Sequence, residues 1–178
     1  SCITVNASID GSHKRGEYIR HGLSWDKFIE NKKAFDEKCP DINFDITTVW
    51  GNTNSLHTTD FFKEMLELKI VDTPNRLTFN DVGGVEFLSI TTLPIEYKRK
   101  VENNISELKK WVESNFNSDD YFEFFERLDN FITYMNDKDE SSQLPLYFEN
   151  MKRLDKVRNQ NLFNVFPELI NLKKYEIV

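Results

Sequence analysis

The first half of the chain is constrained most by a repeated order in which short alternating segments are separated by helical ones. Apolar Ile3, Val5, Ala7 and Ile9 alternate with Thr4, Asn6, Ser8 and Asp10; Ile42, Phe44 and Ile46 alternate with Asn43, Asp45 and Thr47; Leu88 and Ile90 alternate with Ser89 and Thr91. A period of two marks a strand with one apolar and one polar face. A parallel strand covered by helices on both faces would read instead as a continuous apolar run. The expectation is therefore a sheet whose apolar side meets helices and whose polar side lines an open, hydrated cavity, as in a barrel or half-barrel. An antiparallel sheet with one wet face has the same period, and the helices between the strands decide for the parallel arrangement.

Those helices are marked at their ends. Ser24 is placed to cap a helix with Trp25, Phe28, Ile29 and Phe35 on one face, Asp26 complements its N-terminal dipole, and Pro40 stops it. Thr58 or Thr59 opens a second helix with Phe61, Phe62, Met65 and Leu68 at helical spacing. These stripes read as packing against the sheet. The pattern changes at Pro94. Ile95, Val101, Ile105, Leu108 and Val112 follow helical spacing, as do Tyr121 to Tyr134 and Leu146 to Val157. The expected division is an α/β part over residues 1–94 and an α-helical region over 95–178, in which Phe163, Val165 and Phe166 fold back around Pro167 to cover apolar surface.

Composition narrows the function classes. With 39% hydrophobic and 13% aromatic residues the chain has enough apolar surface to fold. A net charge of −7 argues against a nucleic-acid partner, since neutralising phosphates requires a contiguous positive face. No apolar run approaches the roughly 20 residues that span a bilayer and no signal peptide is visible, so no membrane partner is expected and the reading is a cytoplasmic protein. Cys2 and Cys39 have no metal-ligand spacing and read as reduced, partly buried thiols. His13, His21 and His57 read as surface or structural residues.

In folds of this kind ligands sit at the carboxyl ends of the strands. Those ends are Ser8-Ile9-Asp10-Gly11, Thr47 to Asn54 and Thr91 to Pro94, each rich in short polar groups. None carries a nucleophile–base pair of recognisable spacing, and no glycine-rich phosphate loop is present. Asn6, Asp10, Asn43 and Asp45 are expected to face the cavity, with Asn54 a further candidate at a strand end. Asp10 reads equally as a ligand or as the residue that orders the turn before Gly11.

Ser8-Ile9-Asp10-Gly11, Arg20 twelve positions after Ser8, and Gly22-Leu23-Ser24-Trp25 together resemble the fourth strand and following helix of radical S-adenosylmethionine enzymes. The closer resemblance is to the twitch-domain-containing group found in phage and metagenomic sequences. It continues through Thr48-Val49-Trp50 to Asn54, Ile90 to Pro94, Leu154 to Arg158 and Val165 to Leu169. The resemblance implies that Ser8 and Arg20 bind the methionyl carboxylate of S-adenosylmethionine, with Asp10 and Asn6 beside them. An arginine fork can clamp a carboxylate bidentately while a hydroxyl donates alongside. Asn43, Asp45 and Asn54 would be substrate or cavity contacts.

The chain departs from the family in two ways. The CxxxCxxC that binds the family's [4Fe-4S] cluster is absent, and the segment after Pro94 has no cysteine for an auxiliary cluster. The chain also opens on Ser1 with a strand under way by Ile3. The expectation is accordingly the C-terminal part of a (β/α)6 partial TIM barrel, about three parallel strands with their helices. Its cluster ligands and the N-terminal half of the barrel would lie upstream, and it would be inactive alone. The intact enzyme would cleave S-adenosylmethionine to a 5′-deoxyadenosyl radical and abstract hydrogen from a substrate the resemblance leaves open, a peptide among the options. The alternative is a non-catalytic acidic α/β binding or interaction module, a cluster-less descendant of the family.

Overall fold

The structure, a computed structural model, describes residues 3–176, so Cys2 lies outside the described residues. It is a mixed α/β fold with one three-stranded sheet in the order β1-β2-β3, all parallel. β1 is Thr4–Ser8, β2 Asn43–Val49 and β3 Leu77–Asn80. The helices are α1 (His13–Ile19), α2 (Trp25–Lys38), α3 (Thr58–Glu67), α4 (Ile95–Asn115), α5 (Ser118–Asp137), α6 (Leu144–Arg158) and α7 (Leu162–Val165), followed by a 3-10 segment, Pro167–Tyr175.

The third strand is not where the alternation of Leu88 to Thr91 placed it. Ile90–Thr92 is a 3-10 turn, and β3 lies earlier, after the 3-10 turn Pro74–Arg76. Local hydrogen bonding by hydroxyls explains the difference. Ser89 Oγ accepts from Thr91 N, and Asp81 accepts from both Ser89 Oγ and Ile90 N. Short polar side chains thus offer the backbone partners that a strand would have drawn from a neighbour.

In β2 and β3 the two faces of the sheet separate as the alternation requires. Register pairs Asn6 with Asp45, Ser8 with Thr47, Thr47 with Thr78 and Val49 with Asn80 along one face. That face is wet: Asn6, Ser8 and Asn80 are exposed, and Asp45, Thr47 and Thr78 half-buried. On the other face Ile46 and Leu77 are fully buried. Helices cover this side through aromatic contacts. Phe35 of α2 meets Phe44 with ring centroids 5.4 Å apart, Phe62 of α3 meets Phe79 at 5.5 Å, and Phe131 of α5 meets Phe79 at 5.4 Å. Trp50, just past β2, is fully buried and stacks on Phe131 at 4.6 Å.

Ser24 caps α2 as expected, its hydroxyl accepting from Lys27 N. In α4, Val101, Ile105, Leu108 and Val112 face inward, while Ile95 is exposed. One hydrophobic cluster runs from Ile9 to Leu172, so the α/β part and the helical region share a core across Pro94. Phe166, Leu169 and Leu172 are buried in that cluster, which is the covering role expected of the segment around Pro167.

The two edges of the sheet differ. Along β3, Arg127 of α5 donates to the carbonyls of Asn75 and Leu77, and Asn75 accepts from Phe124 N, so a helix occupies that edge. No described segment pairs with the outer edge of β1. Ile3 there is 61% exposed and Val5 37%.

Candidate functional site

The carboxyl ends of β1 and β2 converge on Asp10. Beyond β1 the ladder continues for one bond, Ile9 N to Thr47 O, and Thr48 Oγ1 donates to Ile9 O. Asp10 follows, only 4% exposed, with Oδ1 accepting from Val49 N at 2.7 Å. A buried carboxylate needs partners to stay charged, and Arg20 supplies them. Arg20 Nε donates to Asp10 Oδ2 at 2.7 Å, and Nη2 donates to Asp10 Oδ1 at 3.3 Å and Ser8 Oγ at 2.7 Å. Ser8, Asp10 and Arg20, twelve residues apart at most, therefore form one cluster. Arg20 Nη1 takes no part in these three bonds, and the side chain stays 35% exposed.

Arg20 reaches Asp10 because α1 turns back tightly on the strand. Arg20 closes the helix, its N–H donating to Gly16 O. Gly16 lies directly against the turn at Gly11: a Cβ on it would come within 2.9 Å of the Gly11 carbonyl carbon, with the oxygen closer still. Only glycine permits that approach of two backbones.

The loop after β2 is equally tight. A Cβ on Gly51 would sit 2.5 Å from Leu88 O. Asn52 N donates to Leu88 O, and Asn52 Nδ2 to Phe87 O and Thr92 Oγ1. Asn54 Nδ2 donates to Asp10 O and Val49 O, while its Oδ1 accepts from Gly51 N. Asn54 thus stands in the wall of the site with its amide engaged by the backbone that shapes the wall.

Above these ends lies a cavity of about 260 Å³, lined by Asp10, Ile19, Val49 and Leu88 and roofed by Met151, Leu154 and Arg158 of α6. Its size is just under the usual range for small-molecule sites. A wider basin of about 630 Å³ opens at the end of β3, where Asp81 also accepts from Tyr134 OH.

The remaining expected residues lie elsewhere. Asn6 is on the exposed polar face opposite Asp45. Asn43 and Asp45 are at the amino end of β2, away from the cluster. Arg76 ties them together, donating to Asp45 Oδ1 at 2.9 Å and Asn43 Oδ1 at 2.8 Å. Cys39 is a half-buried free thiol. His13 is exposed and bonds Glu64. His57 is not a surface residue: burial, then the charges of Arg15 and His13, push its pKa down to about 4, and its buried Nε2 has no hydrogen-bond partner.

Reading the strands alone left out Tyr18. Its hydroxyl donates to Asp155 Oδ1 at 2.8 Å. Burial, reinforced by that bond, raises its pKa well above the phenolic value, which keeps it a donor. The signal for this contact was the stretch from Leu154 to Arg158, conspicuous in the sequence without a role to go with it.

No protein-family model, curated protein or solved structure matches this chain. Among the described residues no group of three or more His, Cys, Asp or Glu side chains could hold a metal ion, and no helix is long and apolar enough to cross a membrane.

Proposed function

We propose that this chain is the C-terminal part of a radical S-adenosylmethionine enzyme and holds the amino-acid end of that cofactor at Ser8 and Arg20. The observation that carries the reading is the fork of Arg20 onto Ser8 and Asp10 at the carboxyl end of an edge strand. The residues fit a carboxylate ligand. Asp10, nearly buried, fixes the guanidinium from one side, and the Nη1 donors and the exposed Ser8 hydroxyl remain for a second anion. Asn6, exposed on the same face, would line the approach.

The residues do not fit the iron–sulfur cluster, whose ligands would belong to another part of the intact protein. With that cluster, S-adenosylmethionine supplies hydrogen abstraction from carbon; this chain's residues bind and orient the cofactor. The polar sheet face would be the interior of a partial barrel, and the outer edge of β1, with Ile3 and Val5 exposed, would pair with the barrel's preceding strand.

Titration of this chain with S-adenosylmethionine, followed by NMR, tests the binding role. Saturable shifts are expected at the Ser8 amide and the Arg20 Nε–H, and Arg20→Lys, which keeps the charge but loses the fork, should remove the shift at the Ser8 amide. An absence of shifts in the wild-type chain, or shifts indifferent to Arg20→Lys, would sink the assignment.

A further inference from the structure

We infer that the C-terminal segment from α6 to Leu172 sets the position of Arg20, acting through α1, with Asp155 and Arg158 as positioning residues. α1 has seven residues, too few to hold its own shape in water. On its inner side α1 meets the turn at Gly11 through Gly16. The outer side is gripped by the C-terminal segment at two residues. Tyr18 donates its hydroxyl to Asp155 Oδ1, accepts at its carbonyl from Arg158 Nη1 at 3.1 Å, and sets its ring edge-on to Phe166 at 5.7 Å. Arg15 forms a two-pronged pair with the Glu168 carboxylate, and its guanidinium lies 5.2 Å from the centre of the Phe166 ring.

These contacts fall two and five residues before Arg20, within the last turns that aim its side chain. The Asp155 carboxylate also binds the next helix, Oδ2 accepting from Leu162 N at 2.8 Å. One side chain therefore fastens α6, α7 and α1 together. Both stretches of the C-terminal sequence that stood out reach α1, Leu154 to Arg158 through Asp155 and Arg158 and Val165 to Leu169 through Glu168. The segment that roofs the cavity is thus also the one that orients the site's cation.

The test reads Arg20 directly. In wild type, the Arg20 Nε–H, identified as the signal lost in Arg20→Lys, should exchange slowly because it is bonded to Asp10. In Tyr18→Phe and in Asp155→Ala its exchange should quicken at least ~10-fold, the scale of one ordinary hydrogen bond. The Ile9 amide, bonded to Thr47 O, should keep its protection. Asp155→Asn keeps one acceptor for Tyr18 but turns an NH2 donor toward the Leu162 N–H, so it should restore the Arg20 protection only in part. Unchanged Arg20 exchange in folded Tyr18→Phe overturns the inference; that variant loses one hydroxyl and serves even where Asp155→Ala fails to fold. A ligand arm rests on the proposed function: Tyr18→Phe should weaken the S-adenosylmethionine response by a similar factor. A wild-type chain that ignores S-adenosylmethionine refutes the functional reading and leaves the exchange result standing.

Discussion

Gly16→Ala tests how α1 is seated, because the structure leaves no room for one methyl group at that point. The new Cβ would meet the Gly11 carbonyl carbon at 2.9 Å, its oxygen closer still, and Leu23 Cδ2 at 3.2 Å. Leu23 can rotate; the Gly11 peptide cannot, since the turn that contains it is tied to β2 through Asp10 and Asn54. Forcing a methyl into such packing costs about 1–3 kcal/mol. Alanine returns about 1 kcal/mol through helix propensity, because Gly16 lies within α1 at ordinary helical geometry. The net expectation is a loss of up to about 2 kcal/mol, read as a lower urea midpoint at unchanged slope.

Gly83→Ala is the control. It has nothing within 4 Å of its would-be Cβ and no left-handed backbone to lose, so it should be neutral or gain a few tenths of a kcal/mol from a stiffer unfolded chain. The seating of α1 would be refuted by a Gly16→Ala protein as stable as wild type that also keeps slow Arg20 Nε–H exchange. Helix propensity alone would then have decided the outcome, and the close approach would carry no weight.

Two further outcomes follow from other parts of the fold. His57, depressed to about 4 from an ordinary 6.5, stays neutral in the folded chain while the unfolded chain takes up a proton between those values. Stability should therefore fall as pH drops from 6.5 to 4, by up to on the order of 3 kcal/mol for this group. His57→Leu should flatten that part of a urea-midpoint profile, and an identical slope in both proteins would refute the burial of a neutral imidazole. At the open edge, parallel pairing turns both backbone groups of Val5, Ala7 and Ile9 toward β2 and those of Thr4, Asn6 and Ser8 outward. Amide exchange should alternate along β1, slow at Val5, Ala7 and Ile9 and fast at the other three; uniform protection would mean that another strand already occupies the edge.

The outline of the fold was legible where one physical signal acted alone. β1 and β2 carry period two over five residues or more; the faces of β2 came out as the alternation required, while the apolar side of β1 stays exposed at Ile3 and Val5. Ser24, a hydroxyl before a run of helical spacing, marked α2 for the same reason. β3 was hidden because Leu77 to Asn80 is only four residues long, while Ser89-Ile90-Thr91 imitates a strand and spends its hydroxyls on a local turn. At the site, Ser8 and Asp10 were legible as the polar end of a strand, whereas Arg20 entered only through the family resemblance; the structure hydrogen-bonds the three together. Asn43 and Asp45 were correctly placed on the polar face, but alternation says nothing about which end of a strand a residue occupies. The contact of Tyr18 with Asp155 spans 137 positions and belongs to no local pattern.

The asymmetry of the sheet bears on what this fold is for. A lone cluster such as Ser8, Asp10 and Arg20 could be a structural ion pair that merely ends a strand, and Asp10 does serve that purpose in accepting from Val49 N. A structural pair needs hydrogen-bond partners for whatever part of it is buried, and full burial of both charges would add a desolvation cost. Here the carboxylate is buried and the guanidinium is not: the side chains are 6% and 35% exposed. A buried acid, the close approach of Gly16 to Gly11 and the contacts of the C-terminal segment with α1 surround a cation that remains open on one side. The opening adjoins the wet face of the sheet, near the edge strand that no helix covers, whereas the opposite edge is closed by Arg127. The cation is therefore restrained on its Asp10 side and open on the other, and the titration with Arg20→Lys decides whether an anion takes up the open side.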